Sequence, residues 1–175
     1  MIFKKNKTLD KIYKLLSSTT ENICQAIKRY YDTEAVFGER LHISLISIFV
    51  HLCYFVRNYY LVHYNTKKAD NACRYLAYQL ALRIDNLDEF ILAHLSDIIT
   101  DLAGYQKTHD GYFDDCSNAD ELKHFLGKDI YEDASKSIIK NVCFYDTYFY
   151  KYNTDMVEEI RMILKNLDNS IGLIL

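Results

Sequence analysis

The chain has 175 residues and a mass of 20.6 kDa, which suits one domain with a single core. Half of its residues are apolar and 26% are charged, a balance that excludes a disordered chain. With 21 Lys and Arg against 24 Asp and Glu, the net charge is −3, and no cationic surplus exists to displace counterions from a nucleic acid.

Proline and tryptophan are absent, and there are only five glycines but sixteen tyrosines. A strand-rich fold of this length needs many tight turns, most of them built on Gly or Pro, whereas six or seven helix connections do not. The composition therefore predicts an all-α fold. Enrichment in Ile, Asn, Lys, Tyr and Asp is also the mark of AT-rich coding, which accounts for part of the tyrosine count. Cys24, Cys53, Cys73, Cys116 and Cys143 stand singly, are odd in number and form no C-x-x-C pair. That pattern favours free thiols in a reducing compartment over a disulfide framework.

The opening Met1-Ile2-Phe3-Lys4-Lys5-Asn6-Lys7 is basic and is not followed by an apolar run of the secretory kind. Lys4, Lys5, Lys7, Lys11 and Lys14 cluster here, and residues 1–8 are expected to form a flexible basic tail. Leu9, Ile12, Tyr13 and Leu16 make a short amphipathic stretch. Ser18-Thr19-Thr20-Glu21 has the form of a capping box, so a helix is predicted from about 19 to 31 on Ile23, Ala26, Ile27 and Tyr30.

After Gly38 a long apolar helix is predicted over about 40–64. Its sixteen residues from Leu41 to Val56 lack any Asp, Glu, Lys or Arg, fewer than the roughly 18–20 that span a bilayer, so it reads as the central helix of a bundle. Asp70 is the predicted cap of the next helix, with Cys73, Leu76, Ala77, Leu80, Ile84 and Leu87 inward. Asp88 is the predicted cap of another, carrying Ile91, Leu95, Ile98 and Leu102 and stopping near Gly104. Residues 105–118 are polar and aromatic. A short helix follows at Leu122, Phe125 and Leu126, and a further one at Ile138, Ile139, Val142, Cys143 and Phe149. The last begins near Thr154 and puts Val157, Ile160, Leu164, Leu167 and Ile171 on one stripe. The expectation is a single domain over 1–175, a bundle of about seven helices.

Catalytic and metal-binding spacings are scarce. His42, His51, His63, His94, His109 and His124 form none of the close pairs that announce a zinc site. His51 and Cys53, two apart on a helix, point in different directions. Asp97 and Asp101 share a helix face and could reach one ion, yet no E-x-x-H motif supplies the complementary ligands of a carboxylate-bridged pair. The acidic stretch from Asp110 to Asp120 lacks the alternation of a calcium loop. No nucleophile elbow or phosphate-cradling glycine loop occurs. Enzymatic activity and a bound cofactor are therefore not expected. Tyrosines at 30–31, 59–60 and 145–152 read as core edges or protein contacts. Phe3 among lysines reads as a weak contact for an anionic membrane surface, with Phe3, Lys4, Lys5 and Lys7 as its residues.

Several segments resemble the ubiquinol–cytochrome c chaperone family. Met1-Ile2-Phe3-Lys4 is similar to the opening of bacterial members, and Arg40-Leu41 before Leu45, Ile46, Ile48 and Phe49 resembles the family's G-R-F entry to a long apolar helix. Arg83-Ile84-Asp85-Asn86-Leu87-Asp88-Glu89 looks like a shortened form of its acidic helix end. Gly104-Tyr105, Tyr112, Leu122 through Leu126 and Ile130-Tyr131 resemble its later segments. The family's G-V-G-D turn has no counterpart, since Phe90-Ile91-Leu92-Ala93 follows Glu89. The resemblance, which covers roughly residues 1–131, implies a non-enzymatic assembly factor for the respiratory cytochrome complex. Such a protein would bind a membrane-subunit client, such as a cytochrome subunit, from the cytoplasm at the inner membrane, with Phe90, Tyr105 and Tyr112 as partner-contact candidates. Two other expectations stand beside it. One is a host-interaction protein of the viral apoptosis-regulator type, which binds an amphipathic partner helix. The other is a helical metal protein or enzyme built on Asp97 and Asp101.

Overall fold

The computed structural model describes residues 6–30, 41–83, 130–142 and 153–175. Of these, 93% are helical and none is in a strand, so the all-α class is established for them. They form five helices: α1 (Lys7–Tyr30), α2 (Leu41–His63), α3 (Thr66–Ala81), α4 (Ile130–Val142) and α5 (Thr154–Ile174). The helices expected after Asp88 and around Leu122–Leu126 lie outside the described residues.

α1 corrects the reading of the N-terminal region. It is one helix from Lys7, and Ser18 lies exposed in its interior instead of capping it. The cap is Asn6, whose Oδ1 accepts from the backbone N–H groups of Thr8 and Leu9, each at 3.1 Å. Leu9, Ile12, Tyr13, Leu16, Ile23 and Ile27 are all buried along one unbroken stripe. Burying each large aliphatic is worth about 1.5–3 kcal/mol, against about 1 kcal/mol for a cap, so continuing the stripe outweighs restarting at Ser18. The hydroxyls of Ser17 and Thr20 donate to the carbonyls of Tyr13 and Leu16, four residues back, at 2.9 and 2.8 Å. Lys7 and Thr8, expected in a flexible tail, form the first turn of this helix.

α2 and α3 are joined by Tyr64 and Asn65 alone, and so short a link makes them antiparallel neighbours. Asn65, extended at φ −168°, accepts from the N–H of Lys68 at 2.9 Å and caps α3. Asp70 is therefore not the cap; it sits one turn inside α3 and pairs with Arg57 of α2. The inward face of α3 is Ala69, Ala72, Tyr75 and Leu76, while Ala77, expected inward, is exposed. Asn153 caps α5 through a bond from the N–H of Met156 at 3.1 Å. The predicted stripe Val157, Ile160, Leu164, Leu167 and Ile171 is buried as expected, with Met156 added.

α2 packs against each of the other four described helices. One apolar cluster takes residues from all five, including Ile12, Leu16, Leu52, Leu76, Ile138 and Ile160. Specific contacts set the directions. Tyr13 of α1 meets Phe49 at a centroid separation of 5.3 Å, and Asp10, one turn earlier, meets Tyr75 of α3. Arg29 in the last turn of α1 pairs with Glu159 near the start of α5. Phe55 stacks on Tyr131 at 6.0 Å, and the Tyr131 hydroxyl donates to Asp168 at 2.6 Å, which places the start of α4 beside the second half of α5. Gly172, near the end of α5, faces the ring of Tyr59 near the end of α2. The start of α1, the ends of α2 and α5 and the starts of α3 and α4 therefore lie toward one end of the bundle.

Candidate functional site

Of the residues singled out from the sequence, Lys7 is the one membrane-contact candidate within the described residues, exposed at the first position of α1. Phe3, Lys4, Lys5, Phe90, Tyr105 and Tyr112 lie outside them, as do Asp97 and Asp101. Among the described residues no group of three or more His, Cys, Asp and Glu side chains is placed to hold a metal ion.

One set of polar groups that the structure brings together lies in the seam between α2 and α3. Arg57 is buried, with only 5% of its side chain exposed, and its Nε lies 3.6 Å from Asp70 Oδ1. One turn away, the Cys73 thiol points to the carbonyl of Cys53 at 3.8 Å, a weak S–H contact across the same seam. Burial pushes the Cys53 thiol well above its usual range. It pushes Cys73 up to about 12, against the opposing pull of Arg57. Thiols held protonated in this way are poor nucleophiles and poor metal ligands. They serve as small apolar packing groups.

His51, on another side of α2, is held below its ordinary pKa by burial, which outweighs the backbone hydrogen bond that favours its cation. Its Nδ1 lies 2.8 Å from the carbonyl of Ser47. A neutral ring must place its proton on Nδ1 to make that bond. The hydroxyl of Ser47 is itself buried with no hydrogen-bond partner among the described residues. None of these groups forms the nucleophile–base–orienter geometry of a catalytic site.

The seam is thus a fastening between helices. The sequence did carry a signal for it, because a lone Arg57 inside a long apolar stretch requires a partner. That partner could not be read, since Asp70 lies on a different helix. That arginine lies inside the apolar window of α2: Ser44–His63, twenty residues, is long and apolar enough to cross a membrane by length and composition, and 47% of it is buried inside the bundle. A core helix of a bundle meets the same description.

The outward side of the α2–α3 hairpin has a different character. Tyr59 packs on His63 at 4.2 Å, Tyr60 on Tyr64 at 5.5 Å, and the ammonium of Lys68 stands 4.4 Å above the Tyr64 ring. Val62, Tyr64, Tyr78 and Leu82 are among the large hydrophobic side chains left exposed. The tyrosine pair at 59–60 is in this way half core edge and half surface. No protein-family model, curated protein or solved structure matches the chain.

Proposed function

We propose that the chain is a non-enzymatic helical binding protein, an assembly factor that holds a membrane-subunit client at the membrane surface. The observation that carries this reading is how its polar and apolar groups are distributed. Asp10–Tyr75, Arg57–Asp70 and Tyr131–Asp168 use interior polar groups to tie helices together, while aromatic and aliphatic side chains remain outward on the α2–α3 hairpin. Groups spent on inter-helix ties are unavailable for chemistry, and exposed large hydrophobics are the usual material of a contact surface. The resemblance to the ubiquinol–cytochrome c chaperone family supplies the client, a subunit of the respiratory cytochrome complex, and the cytoplasmic face of the inner membrane as the place. In this reading a seven-helix bundle surrounds α2, with Phe90, Tyr105 and Tyr112 on the client side.

Affinity capture from detergent-solubilised membranes of the source organism tests it. The expected result is enrichment of a cytochrome subunit, and capture that contains no membrane subunit sinks the client assignment. A second reading is favoured by the packing of α2 against every other described helix, an arrangement suited to a groove that takes an amphipathic partner helix, as in the apoptosis-regulator type. Titration with helical peptides of that kind separates the two.

A further inference from the structure

The outward face of the α2–α3 hairpin carries a charge pattern opposite to that of the whole chain. At 100° per residue, Lys67, Asn71, Arg74, Tyr78 and Leu82 fall within about 80° of arc on α3, a stripe roughly 22 Å long. Lys67, Asn71 and Arg74 are exposed, Tyr78 is 37% exposed and Leu82 is 59% exposed. At the hairpin tip, Val62 is 43% and Tyr64 48% exposed, with Lys68 over the Tyr64 ring. The one acid of α3, Asp70, lies off this stripe and is engaged by Arg57. Lys67 and Arg74 thus give the stripe a local charge of +2 on a chain of net −3, with Lys68 and Asp70 flanking it on opposite sides.

We infer that this face docks on an anionic lipid surface, with α3 lying along the headgroups. Each component of the face fits that occupant. Cations attract the negative leaflet, tyrosines favour headgroup depth, and aliphatic side chains gain by leaving water for the acyl boundary. A nucleic acid would use the cations but offers Val62 and Leu82 nothing. A second copy of the same face would set its cations against the same cations. The inference deepens the function proposed above, and it rests on that reading only for its biological setting.

Co-sedimentation of the purified full chain with lipid vesicles tests it, with no client present. Binding is expected to vesicles containing about a third phosphatidylserine and not to pure phosphatidylcholine. Raising the salt from about 0.1 M to about 1 M shortens the Debye length from about 10 Å to about 3 Å and should release the protein. Lys67→Glu with Arg74→Glu should lower partitioning at least tenfold, since each cation near such a surface is worth about a fivefold change. Leu82→Ser should lower it severalfold and leave the salt dependence intact. All three substitutions are at exposed positions, and an unchanged helical circular dichroism spectrum verifies each fold.

Equal binding to neutral vesicles, or no binding to either kind, overturns the inference. So does binding lost on Lys4→Glu with Lys5→Glu but kept in the α3 variants, which would move the contact to the N-terminus. Client capture in detergent involves no bilayer, so its failure leaves this result standing, and the reverse holds too.

Discussion

The hydroxyl of Tyr75 on α3 donates to Asp10 on α1 across 2.6 Å, and the backbone N–H of Asn6 approaches the same oxygen at 3.4 Å. One phenol therefore joins the capped start of α1 to the middle of α3. Tyr75→Phe keeps the ring and removes the bond, and should cost about 1.5–3 kcal/mol in chemical denaturation, the range for a hydrogen bond to a charged group. The bond to Asp10 also raises the Tyr75 pKa, with desolvation adding to it. A raised phenol contributes stability that is present below its unfolded value near 10 and is lost as pH rises through the folded value. The Phe variant should lose less stability than the wild type above pH 10.

The two seam thiols make a second prediction about alkaline pH. Cys53 and Cys73 are both raised above the ordinary 9.0, Cys73 to about 12. Between those values the unfolded thiol is ionised and the folded one is not, so stability should fall as pH rises from 9 toward 12. The slope should approach about 1.4 kcal/mol per pH unit for each thiol. Denaturation midpoints of wild type and Cys73→Ala across that window check it, the variant showing the shallower fall. At pH 8, Cys73 should react with a thiol reagent far more slowly than a free cysteine, a difference readable by mass spectrometry.

Caps give a third test, one that discriminates between two ways of reading the N-terminal region. Asn6→Ala and Asn153→Ala remove side-chain oxygens that accept from N–H groups of the first turn, and each should cost about 1 kcal/mol. Ser18→Ala, at an exposed interior position of α1, should be neutral or slightly stabilising. Thermal melts of the three variants suffice, and a Ser18→Ala loss as large as that of Asn6→Ala would contradict a continuous α1.

Two substitutions should raise stability. Gly172 is helical, and a methyl group built there meets only Tyr59 Cε2 at 3.8 Å, an ordinary contact. Gly172→Ala should therefore add about 0.5 kcal/mol by restricting the unfolded chain. Ser47→Ala removes a buried hydroxyl that has no partner among the described residues, while the Ser47 carbonyl keeps its bond to His51. It should be neutral or stabilising by up to about 1 kcal/mol. A loss above that size, by calorimetry, would mean that the hydroxyl has a partner.

How much of this was legible in the chain varied from helix to helix, for physical reasons. α5 could be read almost entirely, because its apolar period runs unbroken from Val157 to Ile171 and no competing local signal interrupts it. α1 was divided at Ser18 because a capping box is a local pattern, whereas the stripe that overrides it gains its energy from contact with other helices. Asp70 was assigned to a cap because an acid near a helix start usually serves there, and its partner Arg57 is a matter of tertiary structure. Of the candidate contact residues, Lys7 alone is described. The basic-aromatic face of α3 forms no compact motif in the sequence, because its residues stand three or four apart on a helix whose inward apolar stripe is the stronger pattern.

The salt link between Arg29 and Glu159 has a consequence for how the molecule is made. The apolar stripe of α1 is covered by α2 and α5 together, so the share that α5 covers stays open until that helix has emerged. Roughly 120 residues separate them, which at ribosomal speed leaves Ile12, Leu16, Ile23 and Ile27 without that cover for about 6 to 24 s. During that interval the nascent chain presents an adhesive amphipathic helix to whatever is near, and the cell's own folding helpers are the natural candidates to shield it.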